Sequence, residues 1–166
     1  MAINTSSERP ANDDAMDVVT AGEMMHLSGL DFLRAIAAGE LPQPPIAELM
    51  NFRLTGVELG KVLFEGTPGP QHYNPIGTVH GGFAATVLDS VMACAVHSTL
   101  PAGMAYTTLE LKVNFVRAIT QGTGLVLAES KVIHQGARVA TSEGRIHDAK
   151  GKLYAHGSTT CLIFPM

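Results

Sequence analysis

The chain has 166 residues, 46% of them hydrophobic and only 16% charged, with a formal net charge of −4. That acidic balance argues against a nucleic-acid partner, which selects a basic face, and no run approaches the roughly 20 apolar residues of a membrane span. A charged fraction below the roughly 25% of ordinary domains predicts surface covered by other subunits, so an oligomer is expected.

Residues 1–22 are polar and acidic, with Glu8, Asp13, Asp14 and Asp17, and lack the basic-then-apolar pattern of a signal peptide. They read as a flexible tail ahead of one domain over 23–166, in a cytoplasmic protein. Cys94 and Cys161 lie in apolar runs without metal-type spacing, as expected of buried thiols in a reducing compartment. Met24, Met25, Leu27, Leu30, Phe32, Leu33, Ile36 and Ala37 recur near helical spacing and predict an amphipathic helix ending at Gly39. Pro42, Pro44 and Pro45 break it, and Ile46 to Met50 has room for one more turn. Two strands are expected over 51–56 and 58–65, with Gly56 and Gly60 near their join. The Pro68-Gly69-Pro70 run makes Gly66 to Tyr73 a loop.

Gly81 to Ser98 reads as a long helix, apolar nearly all round, which predicts burial on every side. Tyr106 to Arg117 alternates as a strand, with Leu109, Leu111, Val113 and Phe115 on one face and Thr108, Glu110, Lys112 and Asn114 on the other. Strands over 124–134, 138–148 and 152–164 follow, joined by short turns as antiparallel neighbours. The class is α+β. A curved antiparallel sheet of about six strands wrapped around the central helix satisfies this order, with the first helix as an extra element.

The chemistry concentrates between Asn74 and Asp89. Asp89 sits inside the apolar helix, where a carboxylate is either a base or nucleophile, or a structural acid paired with Lys112 or Arg117. Gly81 and Gly82 open that helix with unpartnered N–H groups and the positive end of its dipole, a candidate oxyanion hole or simply a turn into the helix. His80 is a candidate general base or an orienting hydrogen-bond group. Asn74 offers a donor and an acceptor beside the helix start, or scaffolds the turn before Pro75. The histidines show no ligand spacing, so no metal site is expected, with His72 in the irregular loop as the one exception to watch. Positions 81 and 89 are eight residues apart, roughly 12 Å along a helix. They cannot both touch one carbonyl carbon, so if both act, they come from different subunits across a two-fold axis.

The run Asn74-Pro-Ile-Gly-Thr-Val-His80-Gly81-Gly82 followed by Asp89 resembles the hotdog-fold acyl-CoA thioesterases of the phenylacetic-acid-pathway (PaaI-like) group. Leu111-Lys-Val-Asn-Phe-Val-Arg117 resembles that group's third-strand segment. The resemblance implies hydrolysis of an aryl- or medium-chain acyl-CoA to free acid and CoA. It implies Asp89 as the group that activates water or attacks the carbonyl, the Gly81 N–H as oxyanion donor, and Asn74 as a group holding substrate or water. Asp89 would come from one subunit, Asn74 and Gly81 from its neighbour, in a homodimer or a tetrameric dimer of dimers. Thr108 is the best match for a hydroxyl residue positioning the water, with Thr107 beside it. CoA enters as part of the substrate, with no separate cofactor, and Arg117 and Arg138 are candidates for its phosphates, with Gly136 allowing close approach. A hotdog-fold dehydratase or hydratase and a non-catalytic acyl-CoA-binding module are the competing readings.

Overall fold

The computed structural model describes residues 25–166; the tail expected over 1–22 lies outside them. Helix α1 runs Gly29–Ala38, later than the apolar periodicity suggests. Ser28 explains the shift, because its Oγ accepts from the Asp31 N–H at 3.1 Å and caps a new helix start. Gly39 ends α1 with φ 78, a left-handed turn open to glycine. The proline-rich linker leads into the single turn α2 (Pro45–Leu49), with Pro45 where a missing N–H costs nothing.

Six strands follow: β1 (Phe52–Glu58), β2 (Lys61–Gly66), β3 (Met104–Phe115), β4 (Val126–Gln135), β5 (Val139–Asp148) and β6 (Leu153–Pro165). They form one antiparallel sheet in the order β1-β2-β4-β5-β6-β3. The β1–β2 turn falls at Leu59-Gly60, with Gly60 at φ 73, and Gly56 instead takes part in a bulge within β1. The expected loop after β2 holds a single 3-10 turn, Pro70–His72.

Helix α3 (Gly81–His97) lies across the sheet, and Val87, Leu88, Val91, Met92, Ala95 and Val96 are fully buried against it. This is the hotdog arrangement that the resemblance implies. Close approach is possible because Gly144 and Gly157 stand under Met92; a Cβ on Gly144 would come within 2.8 Å of its Cγ. Ser130 and Ser142 reach from β4 and β5 to the Val91 and Met92 carbonyls at 2.7 and 2.9 Å, satisfying their hydroxyls inside the core.

Burial on every side of α3 is not what forms. Gly81, Gly82, Ala85, Thr86, Asp89 and Ser90 make a half-buried stripe along its length. The sheet curls over the large apolar side chains, and the small ones are left on the flank beside β3. The alternation expected in β3 also breaks: a bulge between Thr108 and Glu110 turns Leu109 outward, 59% exposed. The extra residue swaps the parity, so Thr108 before it and Leu111 and Val113 after it all face α3. Among the described residues no helix is long and apolar enough to cross a membrane.

Candidate active site

The N-terminal end of α3 is built by the Asn74 turn. Asn74 Oδ1 accepts from the Ile76 and Thr78 N–H groups at 3.1 and 3.2 Å, and its Nδ2 donates to Thr78 Oγ1 at 2.9 Å. The amide therefore organises the turn, with one N–H left over. Gly77, at φ 82, closes it. His80 is the helix N-cap: its Nδ1 accepts from the Gly82 N–H at 2.9 Å, an orienting bond that occupies the nitrogen a base would use. The Gly81 N–H has no hydrogen-bond partner among the described residues. Phe115, at the end of β3, lies over it, and a Cβ on Gly81 would meet that ring at 3.2 Å. Asn74, His80, Gly81, Phe115 and Arg117 share one open cavity of about 350 Å³.

Two turns further along the same stripe, Asp89 Oδ1 accepts from the Thr108 hydroxyl at 2.9 Å. Thr108, and not its neighbour Thr107, faces the helix. Neither Lys112 nor Arg117 forms an ion pair with Asp89; Arg117 Nη1 donates to the Leu153 carbonyl at 2.6 Å. Asp89 is thus a half-buried carboxylate with one neutral hydrogen-bond donor and an open side. Beside it, burial pushes the Cys94 thiol up to about 12, helped by the Asp89 charge, and raises Cys161 in the same way. Both thiols are held protonated and offer no nucleophile.

A family model described as the thioesterase superfamily matches residues 76–155. Acyl-coenzyme A thioesterase 13 of Homo sapiens is 32% identical over 113 residues, 68% of this chain and 79% of that protein. The chain belongs to the thioesterase superfamily. A phenylacetic acid degradation-related protein of Ralstonia eutropha JMP134 superposes with a TM-score of 0.72 at 28% identity, over 79% of this chain and 98% of its own. A protein of Streptococcus pneumoniae TIGR4 described as a hypothetical thioesterase, solved with coenzyme A, shares the fold at 20% identity and a TM-score of 0.63, over 70% of this chain and 88% of its own. The protein is a thioester hydrolase.

In this thioesterase the expected phosphate ligands lie far apart. Arg117 stands at the α3 N-terminus, whereas Gly136 and the exposed Arg138 form the β4–β5 turn at the α3 C-terminal end, where Gln135 Oε1 accepts from Thr99 Oγ1 at 2.7 Å. No group of three or more metal-type ligands converges among the described residues. His72 is buried against Phe83, its Nδ1 accepting from the Gly69 N–H at 3.0 Å. A second cavity of about 250 Å³ lies beneath α1, and its wall includes His97 and Tyr106, neither of which the sequence had marked as a site residue. Phe52 lines it as well, whereas Met92 is packed against Gly144 and Gly157. His97 offered no signal in order alone, because its neighbours come from α1 and β3.

Proposed function

We propose that the protein hydrolyses an acyl-CoA thioester bearing an aryl- or medium-chain acyl group. The observation that carries the reading is Asp89, held by Thr108 on the open stripe of α3, with an unpartnered Gly81 N–H on the same stripe. The similarity to a relative named for acyl-coenzyme A supports the substrate class. In this mechanism Asp89 takes a proton from water as its oxygen attacks the thioester carbonyl, and Thr108 orients the carboxylate. The Gly81 N–H, at the positive end of the helix, stabilises the tetrahedral oxyanion. Collapse breaks the C–S bond, and the proton on Asp89 passes to the departing CoA thiolate. The dehydratase reading loses support because His80 Nδ1 is spent on the helix cap.

Within one chain the two ends are roughly 12 Å apart, so the site is shared between subunits. β3 is the natural contact: it is an edge strand of 12 residues, and Leu109, Phe115 and Val116 are exposed on or just beyond it. A two-fold axis there sets Asp89 against the neighbouring subunit's Gly81. The same antiparallel pairing brings the Arg138 turn of one subunit towards Arg117 of the other, so both arginines flank one CoA. A dimer, further paired into a tetramer in the cytoplasm, completes the proposal.

Release of free thiol from a panel of aryl and straight-chain acyl-CoA esters tests it. Asp89→Asn should lower kcat by a factor on the order of 10²–10⁴ while leaving the melting temperature near wild type. Equal turnover in the variant, or no thiol release from any ester, would overturn the assignment.

A further inference from the structure

The segment that leads into α3 contains a buried histidine with no partner for one of its nitrogens. His72 ends the 3-10 turn Pro70–His72 and is 7% exposed. Its Nδ1 accepts from the Gly69 N–H at 3.0 Å, the reach-back bond that a capping box ordinarily takes from Glu or Gln. A nitrogen that accepts there places the ring proton on Nε2. That N–H is buried and has no hydrogen-bond partner among the described residues. Neither nitrogen is therefore open to a metal. Phenylalanine would fill the same space without an unpaired donor, so packing alone does not account for the imidazole.

His72 touches both residues that aim the Gly81 N–H. Its carbonyl accepts from the His80 N–H at 2.7 Å. Its ring packs on Phe83 with centroids 4.9 Å apart and planes inclined by 36°. Phe83, buried at the first turn of α3, in turn donates its N–H to the His80 carbonyl at 3.0 Å. That carbonyl belongs to the same planar, trans peptide as the Gly81 N–H, which points opposite to it. Fixing the carbonyl therefore fixes the direction of the N–H. The bond from Gly69 completes the chain, because it sets the rotation of the imidazole over Phe83. A tilt of the ring would move Phe83, and with it the oxyanion donor.

We infer that His72 is a positioning residue for the oxyanion hole, holding the His80–Gly81 peptide so that the Gly81 N–H faces the reacting carbonyl oxygen. Its side chain acts through Phe83 and its main chain through His80, and it does not itself touch the substrate. His80 is thus fixed twice, by its ring to the Gly82 N–H and by its backbone to His72. A preorganised donor stabilises the transition state without reorganising as charge develops, so a small misalignment lowers kcat and leaves KM alone. The inference rests on the acyl-CoA hydrolysis proposed above, with Gly81 as the oxyanion donor.

The test is a double-mutant cycle in thiol release from the acyl-CoA ester that the wild type hydrolyses fastest. His72→Phe should lower kcat roughly tenfold to hundredfold with little change in KM. His72→Gln, which can restore the bond to the Gly69 N–H, should recover most of that loss. In Gly81→Pro, where the donor itself is gone, adding His72→Phe should cost less than about twofold. Loss of the same factor in both backgrounds overturns the inference, because a merely structural role penalises both alike. An unchanged kcat in folded His72→Phe also overturns it while leaving the thioesterase assignment intact. Nitrogen NMR of the wild-type imidazoles needs no variant and should show the His72 proton on Nε2. A proton on Nδ1 instead overturns the inference, even if His72→Phe fails to fold. Absence of thiol release from every ester would remove the proposed function on which it stands.

Discussion

At the scale of single residues, the site depends on hydrogen bonds that leave particular groups free. Thr108 donates to Asp89, so the carboxylate is fixed in orientation without being neutralised by a cation. Thr108→Val keeps the volume and removes the donor. Because a hydrogen bond to a charged group is worth about 1.5–3 kcal/mol, kcat should fall roughly tenfold to hundredfold with little change in KM. His97 predicts a pH effect on stability independent of activity. Its folded value, lowered by burial from 6.5 to about 4, means that the unfolded chain binds more protons between those limits. Its contribution is therefore complete above pH 6.5 and is lost as pH falls towards 4, amounting to about 3 kcal/mol. Thermal melting of wild type and His97→Phe across that range should show the slope in the former and a shallower one in the latter.

Among the elements, α3 and the two segments packed along it decide where the chemistry can occur. β3 runs back beside α3, with Thr108 against Asp89 and Phe115 over Gly81. The bulge at Leu109 allows both Thr108 and the apolar residues after it to face the helix. At the other end, α1 docks through Gly29, whose N–H donates to the Leu100 carbonyl at 2.9 Å and whose Cα lies against the backbone of His97. A Cβ there would fall 1.8 Å from the His97 carbonyl oxygen, so Gly29→Ala cannot be absorbed by a side-chain rotation. It should displace α1 and cost about 1–3 kcal/mol in denaturant unfolding. Thiol-release assays should then show weakened discrimination among acyl groups before any loss of the Asp89 chemistry, since α1 roofs the 250 Å³ cavity, whose lining does not include Asp89.

For the whole molecule, the separation of Gly81 and Asp89 makes association part of the mechanism. Gly81→Pro probes this directly, with the Phe115 ring, 3.2 Å from the added Cβ, giving way by a few tenths of an ångström. Proline is favoured at the first helical position, and His80 at φ −61 and ψ 140 already has the extended backbone required before it. The variant keeps the helix and deletes the proposed oxyanion donor, so kcat should drop by about 10²–10³. Each variant alone should be nearly inactive, yet mixed dimers of the two contain one site with both groups intact. Unfolding and refolding an equimolar mixture should restore about one quarter of wild-type activity if each site is shared across a two-fold axis. No recovery in mixtures shown by native mass spectrometry to contain heterodimers would place both groups in one chain. Light scattering gives the order of assembly directly.

The long helix behind His80-Gly81-Gly82, the strands after it and the turn before it are all legible in the order of residues. Each of these rests on interactions a few residues apart: apolar periodicity, a cap, a glycine at a left-handed turn. The separation of Gly81 from Asp89 was equally legible, since helical rise needs no tertiary contact. Tertiary structure alone decided which threonine meets Asp89, because one unpaired residue in β3 reverses the facing of everything before it. It also decided which flank of α3 stays open, since that depends on how far the sheet curls and not on how apolar the helix is. His97 became distinct from the other histidines, and Arg138 separate from Arg117, only when α1, α3 and the β4–β5 turn came together at one end of the molecule. Local periodicity carries no record of which distant segment will pack against which.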